Sequence, residues 1–239
     1  MSKRVKKRFT SEVNIIDFQP YLPQKKQRVT LHARNPNQQN YLKTLQDSSK
    51  SIVLAIGPAG TGKTMLAVQV GIKLFQEGIV DKIIVTRPAV SVDEDLGFLP
   101  GDLNEKMAPW TRPIFDVFGE YYQTKEVARM LEDGTIEISP LAYMRGRTFK
   151  NAYIVADEMQ NATVNQMKML LTRLGENSKM VVTGDLAQAD RMNDNGLINF
   201  CNLLAGNPGL KHIDVIQFDQ KDIERHEAVK EVLKIYGDN

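Results

Sequence analysis

The sequence lacks several features that define common protein classes. It contains one cysteine, Cys201, which cannot form an internal disulfide and cannot build a zinc site by itself. No apolar run approaches the roughly 20 residues that a membrane span requires. The basic start is followed by the polar stretch 11–14 instead of an apolar segment, which argues against a signal peptide. We therefore expect a cytoplasmic protein without a membrane anchor.

Neither positive nor negative residues predominate, since the net charge is only +2. Its distribution is uneven, since the basic residues of 1–34 face only Glu12 and Asp17. Such a stretch suits contact with nucleic-acid phosphates, and it equally suits a solvated tail. With 239 residues, the chain is predicted to contain a basic amino-terminal arm over 1–36 and one domain over 37–239.

Short runs rich in Val and Ile alternate with helical patterns along this domain. The runs mostly lack polar alternation, as expected for strands that are buried on both faces of a parallel sheet. The predicted strands cover 52–56, 82–86, 136–139, 153–156, 180–183 and 213–218. The predicted helices cover a segment from Gln38 that ends at 47–49, 63–76, a Pro-interrupted region over 102–118, 163–174, 197–204 and 222–236. This alternation indicates a doubly wound, mostly parallel α/β domain.

A complete phosphate-loop motif follows the first strand. The pattern G-x-x-x-x-G-K-[ST] is matched by Gly57, Pro58, Ala59, Gly60, Thr61, Gly62, Lys63 and Thr64. The glycines allow backbone N–H groups to surround phosphate oxygens, and the following helix adds its positive end. We expect Lys63 to contact the β- and γ-phosphates and the Thr64 hydroxyl to bind Mg²⁺.

Two adjacent carboxylates, Asp157 and Glu158, end the predicted strand 153–156. Ligands of open α/β sheets bind beyond the carboxyl ends of the strands, so Asp157 is placed to hold Mg²⁺. Glu158 can then orient or deprotonate the attacking water, which favours hydrolysis over transfer to a substrate hydroxyl. The alternative is an acidic helix start. The NKxD signature that reads guanine is absent from the sequence, which favours ATP.

A third strand end supplies polar side chains that could contact the γ-phosphate or the lytic water. The run 180–183 is followed by Asp185 and Gln188, and a glutamine orients water in other P-loop enzymes. A common turn is the alternative for this segment. The aromatic residues of 110–122 are interpreted as core or subunit contact, with base stacking as the other interpretation.

Several further segments, taken together with the phosphate loop and the acidic pair, resemble one particular protein family. The segments 86–90 (TRPAV), 96–101 (LGFLPG), 143–149 (YMRGRTF), 157–163 (DEMQNAT) and 183–185 (TGD), together with 57–64, resemble the PhoH family in its order. The match runs from about Gln38 to Tyr236. The resemblance implies a phosphate-starvation-inducible ATPase with a RecA-like core, similar to the first motor domain of superfamily 1 helicases. It also implies hexameric rings and action on RNA, and it places Gln38 where such motors carry an adenine-reading glutamine. Residues 91–95 and Met159 depart from the usual pattern at positions that are not catalytic.

Hydrolysis in this class needs a positive charge against the transition state, worth roughly 10³–10⁵ in rate. A single domain of this type leaves that charge to a neighbouring subunit, and Arg225 or Arg147 is the predicted donor. Arg225 is read as part of a helix start, where it could instead form a surface ion pair. Arg145 and Arg147 could instead contact nucleic acid.

Three functions remain open at this point. The first is Mg²⁺-dependent ATP hydrolysis coupled to binding, translocation or unwinding of RNA or single-stranded DNA. The second is a nucleotide-switched oligomeric binding module without helicase activity. The third is a nuclease, which ranks lowest because the carboxylates of 93–95 do not form a clear nuclease pattern.

Overall fold

The computed structural model describes residues 27–88, 112–189 and 194–236. The basic residues before Gln27, the acidic segment 91–95 and Trp110 lie outside the described residues. The last part of the predicted arm packs on the domain, since Val29 is buried and its N–H donates to the Gln76 side chain at 3.2 Å.

Six strands form one sheet in which every neighbouring pair is parallel. The strand order is β3-β2-β4-β5-β1-β6. The strands are β1 (Ile52–Ile56), β2 (Lys82–Arg87), β3 (Ile136–Pro140), β4 (Ala152–Ala156), β5 (Lys179–Gly184) and β6 (Ile213–Gln217). All six predicted strands are present and differ from the prediction by at most one residue at an end. The prediction of a doubly wound, parallel α/β domain is confirmed.

Helices connect the strands and cover both faces of the sheet. They are α1 (Pro36–Gln46), α2 (Lys63–Gln76), α3 (112–119), α4 (Thr124–Glu132), α5 (Val164–Leu171), α6 (Gly196–Ala205) and α7 (Glu227–Tyr236). The sequence reading missed α4, although Val127, Met130 and Leu131 have the i, i+3, i+4 spacing of an amphipathic helix. A capping box between Gln123 and Glu126 does mark its start.

The last helix begins five residues later than predicted. A short 3₁₀ turn, Gln220–Asp222, is capped by Asp219, and the chain then runs extended to His226. Within that stretch the Glu224 N–H donates to the Gly60 carbonyl at 3.0 Å. The segment 223–226 is therefore held along the phosphate loop instead of forming the first turns of a helix.

Alternate residues of each strand enter two separate apolar cores. In β1, Val53 and Ala55 enter the core covered by α1, α2 and α3, whereas Leu54 and Ile56 enter the core covered by α5 and α6. The aromatic residues after Trp110 join the first core, where Phe118 and Tyr122 are buried and Phe115 and Tyr121 pack against it. Their interpretation as core residues is confirmed. Cys201 packs against the second core.

Both faces of the sheet are thus covered, which leaves the carboxyl edge as the place where strand ends from distant sequence positions meet. Strand β5 lies between β1, which leads into the phosphate loop, and β4, which leads into Asp157. In the part of the chain that the structure describes, no helix is both long enough and apolar enough to span a membrane.

Candidate nucleotide site

The phosphate loop joins β1 to α2 at the carboxyl edge of the sheet. Gly60 and Gly62 have φ angles of +83° and +81°, which glycine adopts without steric cost. Helix α2 begins at Lys63 and no side chain caps its first turn, so the N–H groups there are available to an anion. A helix start of this kind binds phosphate through its N–H groups and its dipole. The local geometry matches the predicted phosphate cradle.

Backbone contacts from two other strands hold this loop in place. The Gly57 N–H donates to the Gly184 carbonyl at 3.1 Å, and the Phe218 N–H donates to the Ile56 carbonyl at 2.7 Å. A Cβ atom at Gly57 would overlap the carbonyl group of Phe218. This close approach explains why the first position of the loop requires glycine.

The Lys63 ammonium is bound by its own loop in this structure. Its Nζ donates to the carbonyls of Gly57 and Pro58 at 2.7 Å each and lies 3.3 Å from the Thr61 hydroxyl. Burial lowers the pKa of Lys63, and the carboxylates of the neighbouring strand ends oppose that effect. Phosphate oxygens would take over the contacts that the loop carbonyls make here.

Asp157 connects the end of β4 to β5, β2 and the first turn of α2 through its carboxylate and its backbone N–H. Its Oδ1 accepts hydrogen bonds from the hydroxyls of Thr64 and Thr183, each at 2.6 Å. The Asp157 N–H donates to the Thr86 carbonyl at 2.9 Å, which ties the end of β4 to β2. Hydroxyl and carboxylate oxygens are the ligands that Mg²⁺ prefers, and Mg²⁺ in such sites takes one or two protein groups plus substrate phosphates. The residues present therefore fit a nucleotide-bound Mg²⁺, which does not require a cluster of protein carboxylates.

Glu158 has an unusual backbone conformation at the next position. Its φ and ψ of +54° and +37° are left-handed, which is uncommon for residues other than glycine and clusters at functional sites. Both carboxylate oxygens are in contact with donors. Arg87, at the end of β2, lies 3.4 Å from Oε1, and the Gln160 amide donates to Oε2.

The structure brings most of the predicted site residues together around one cavity of about 300 Å³. Its polar lining consists of Lys63, Thr64, Asp157, Glu158, Thr183, Asp185 and Gln188. The remaining lining consists of Ala59, Gly60, Gly62, Met65, Pro113, Val117 and Gly184. Among the described residues, this lining holds three carboxylates and one lysine, and Arg87 contacts one of the carboxylates from outside the cavity.

Asp185 also organises the third strand end. Its Oδ1 accepts from the Ala187 N–H at 3.0 Å and starts the 3₁₀ turn Leu186–Gln188, which brings Gln188 to the cavity. The two side chains that were predicted to contact the γ-phosphate therefore line the same cavity as the phosphate loop.

Gln38 lies behind the loop and does not line the cavity. Its Nε2 donates to the Thr61 carbonyl at 3.1 Å, and its Oε1 accepts from the Arg34 N–H at 2.8 Å. The side chain is 1% exposed. In this structure Gln38 therefore stabilises the phosphate loop, while the adenine contact implied by the family resemblance remains a prediction.

The two predicted arginine donors occupy different environments. Arg147 forms a two-pronged ion pair with Glu137 on β3, with Nη2 2.7 Å from Oε2, and its guanidinium lies 4.8 Å from the ring centre of Phe149. This contact raises the pKa of Arg147 and lowers that of Glu137. Arg147 does not line the cavity, and its own chain already satisfies its charge.

Arg225 lies beside the phosphate loop of its own chain. Its Nε is 3.7 Å from the position that a Cβ at Gly60 would take. The residue is exposed and belongs to the extended segment 223–226, so the sequence reading that placed it in a helix start was wrong. A role in a neighbouring subunit remains a prediction.

Three residues that contact the predicted carboxylates were not predicted as site residues from the sequence. Thr183, Gln160 and Arg87 each contact a predicted carboxylate through a side chain. All three occur in segments that contributed to the family resemblance, which was the available signal. Their partners became visible only when the strand ends were brought together.

Comparison with known proteins identifies the family to which the chain belongs. The family model described as "PhoH-like protein" matches residues 30–237. The chain belongs to the PhoH-like protein family. A PhoH-like protein of Bacillus subtilis is 44% identical over 209 residues, which are 87% of this chain and 64% of that protein. Protein PhoH of Escherichia coli K12 is 49% identical over 160 residues, which are 66% of this chain and 45% of that protein.

The PhoH-like chain thus spans about half to two thirds of the length of these relatives. Among solved structures, a Sulfolobus solfataricus SWI2/SNF2 ATPase core in complex with dsDNA is similar over 67% of this chain and 33% of that chain. The TM-score is 0.40 at 18% identity, which is too low to carry an argument about function. The family and the phosphate loop together identify a P-loop nucleotide-binding protein.

Proposed function

We propose that this chain hydrolyses ATP with Mg²⁺. The contact between the Thr64 hydroxyl and Asp157 Oδ1, at 2.6 Å, carries the proposal. It joins the phosphate loop to the carboxylate at the end of β4 and so supports one shared Mg²⁺ position beside the phosphates. A Mg²⁺ bound there would neutralise charge on the β- and γ-phosphates.

Each residue of the cavity has a separate role in the proposed hydrolysis. The phosphate loop and Lys63 bind and orient the triphosphate, and Thr64 and Asp157 would hold the metal. Glu158, which adjoins Asp157 in the cavity, would orient water for attack and accept its proton. Gln188 lines the same cavity and would fix the water or the γ-phosphate.

A second cavity supports a position for the base. Met65 lines the phosphate cavity and also an open cavity of about 420 Å³. The latter is bordered by Arg28, Thr30, His32, Arg34 and Tyr121, among others. A nucleotide with its phosphates on the loop would extend past Met65 into this space, where Tyr121 supplies an aromatic surface for a purine.

Three variants test the proposal. Lys63→Met is expected to weaken binding of a fluorescent ATP analogue, because the ammonium that the phosphate loop itself supplies to the cavity is removed. Glu158→Gln is expected to keep binding while phosphate release falls about 10²–10⁴-fold, the usual contribution of a general base. Glu176→Gln, the same change at an exposed position, is the matched control and should leave both unchanged. Phosphate release that is independent of Mg²⁺, or equal in Glu158→Gln and wild type, would refute the proposal.

We further propose that hydrolysis is coupled to single-stranded RNA or DNA. Tyr143 and Arg145 support this part, because they follow β3 at the carboxyl edge of the sheet. Tyr143 is 63% exposed on a 3₁₀ turn whose Leu141 and Met144 are buried, so its ring is presented from a fixed position. Among the described residues Arg145 makes no hydrogen bond or ion pair, unlike Arg147. An exposed ring beside an available guanidinium suits base stacking and phosphate contact.

Binding of single-stranded oligonucleotides at low salt tests this coupling. Tyr143→Ala should weaken binding about 5- to 160-fold, the equivalent of 1–3 kcal/mol for a stacked base, while Tyr143→Phe keeps it. Arg145→Ala should lower the salt dependence by about one phosphate contact, whereas Arg129→Ala, at another exposed arginine, should not. If neither RNA nor DNA binds or alters the rate of ATP hydrolysis at low salt, the coupling is wrong.

An exposed apolar face on α7 favours the second candidate, a nucleotide-switched oligomeric module such as a hexameric ring. Val229, Val232, Ile235 and Tyr236 are all exposed on this helix, directly after Arg225. A neighbouring copy that covers this face would lie close to the phosphate loop, as a donated arginine requires.

Sedimentation with and without a non-hydrolysable ATP analogue separates the two candidates. An ATP-dependent increase in size that Ile235→Ser abolishes, and that Ile79→Ser at another exposed isoleucine preserves, supports the module. If strand displacement is then absent, the module alone remains. Mixing Arg225→Ala with Glu158→Gln subunits tests the donated arginine, because activity that is indifferent to mixing contradicts it.

A further inference from the structure

The Gln160 side chain connects the two acidic strand ends of the site. The residue is 2% exposed and does not line the phosphate cavity. Its Nε2 donates to Glu158 Oε2, and its Oε1 accepts from the Asp185 N–H at 3.1 Å. Its backbone carbonyl accepts from Asn195 Nδ2 at 2.6 Å, which fixes the main chain on the other side.

The orientation of this amide is determined by its neighbours. A backbone N–H can only donate, so the oxygen of the amide must face Asp185 and its nitrogen must face Glu158. The amide also lies close to the main chain of β5, because a Cβ at Gly184 would lie 3.0 Å from Gln160 Oε1. The amide therefore acts as a rigid connection between β4 and β5.

Glu158 depends on such a connection because its backbone is left-handed. A residue in this conformation keeps it only where the surrounding contacts over-determine it. Arg87 contacts one carboxylate oxygen from β2, and Gln160 contacts the other. The direction of the carboxylate is thus set by residues outside the phosphate cavity.

We propose that Gln160 is the positioning residue that aims Glu158 at the attacking water and couples it to the γ-phosphate contacts of Asp185 and Gln188. This inference rests on the proposed ATP hydrolysis. Since Gln160 contacts neither the phosphate loop nor Lys63 in this structure, it acts on the chemical step and not on nucleotide affinity. A displacement of about 1 Å in a reacting group can lower a rate about 10²-fold.

Gln160→Glu isolates the contact with Glu158. The variant keeps an oxygen that accepts from the Asp185 N–H, but it places a carboxylate against Glu158 in place of a donor. We expect kcat to fall about 10- to 100-fold, while the dissociation constant of a fluorescent ATP analogue changes less than about twofold. The matched control is Gln166→Glu on α5, which retains the side-chain oxygen that accepts from the Thr163 N–H and should leave both unchanged.

The double variant Glu158→Gln with Gln160→Glu keeps a donor and an acceptor at this contact. It tests whether Gln160 influences kcat through Glu158. If Gln160 acts through Glu158, then Gln160→Glu has no further effect on kcat in the Glu158→Gln background. Equal losses in both backgrounds would overturn the proposal. So would a wild-type kcat in Gln160→Glu, or a dissociation constant that rises in parallel with the loss of kcat. Failure of the proposed function looks different, because wild type and Gln166→Glu would then also lack Mg²⁺-dependent hydrolysis.

Discussion

Replacing Thr183 by valine tests how the metal position is built. The substitution keeps the shape of the side chain and removes the hydroxyl that donates to Asp157 Oδ1 at 2.6 Å. Thr183 is 1% exposed, so water cannot replace the lost donor. The Thr64 hydroxyl still contacts the same oxygen at 2.6 Å, which means that Asp157 loses one of two hydroxyl partners.

The expected size of the effect follows from those contacts. A hydrogen bond to a charged group contributes about 1.5–3 kcal/mol, which corresponds to about 10- to 150-fold in an equilibrium constant. Loss of an outer partner of a metal ligand usually costs about 10- to 100-fold in metal affinity or activity. We therefore expect the Mg²⁺ concentration for half-maximal ATP hydrolysis to rise about 10- to 100-fold in Thr183→Val.

The assay is a Mg²⁺ titration of phosphate release at saturating ATP. Thr183→Ser is the control, because it retains the hydroxyl and should stay close to wild type. The thermal stabilisation that Mg²⁺ and ATP confer together should fall in parallel in the valine variant. If Thr183→Val and Thr183→Ser require the same Mg²⁺ concentration within about twofold, Thr183 does not orient Asp157 and the reasoning is refuted.

Three further predictions concern the scaffold. Gly71→Ala places a Cβ 2.7 Å from Cδ1 of the buried Tyr153 ring. This overpacking should lower the free energy of unfolding by about 1–3 kcal/mol in urea titrations. An unchanged urea midpoint would contradict this prediction. Thr163→Ala removes the hydroxyl that accepts from the Gln166 N–H at 3.2 Å and should cost about 1 kcal/mol by the same measurement, with Thr163→Ser as the control. Burial lowers the pKa of Lys179 from 10.5 to about 8, so the unfolded chain binds more protons between these values and this residue's contribution to stability rises with pH there. The stability of wild type relative to Lys179→Met should therefore increase from about pH 8 to pH 10.5, and a flat difference across that window would be inconsistent with the lowered pKa.

The individual strands and the phosphate loop could be predicted from the sequence because both are recognised from neighbouring residues in the chain. The Val- and Ile-rich runs identified all six strands, and the loop motif required only the strand before it and the helix after it. Helix α4 was missed although its apolar residues follow helical spacing, and at nine residues it is one of the shorter helices. The start of α7 was misplaced because a contact from Glu224 to Gly60 holds the preceding segment extended, and no local pattern reveals that contact.

The same distinction applies to the arginines. Arg145 and Arg147 flank one glycine and look equivalent in sequence. The structure separates them, because Glu137 on β3 pairs with Arg147 while Arg145 is exposed. Arg225 seemed to begin a helix, yet it lies beside Gly60 of its own chain.

The order of residues is enough to establish a phosphate loop, a pair of acidic residues after a buried strand and membership of the PhoH-like family. The side chains that complete the site are known only from the folded arrangement. Thr183 reaches Asp157 because β5 lies beside β4, and their parallel register pairs Val182 with Ala156, so the next residue along each segment lies opposite the other. Strand order and register are set by the packing of the whole sheet, so contacts such as those of Thr183 and Gln160 follow from the fold and not from any local run of residues.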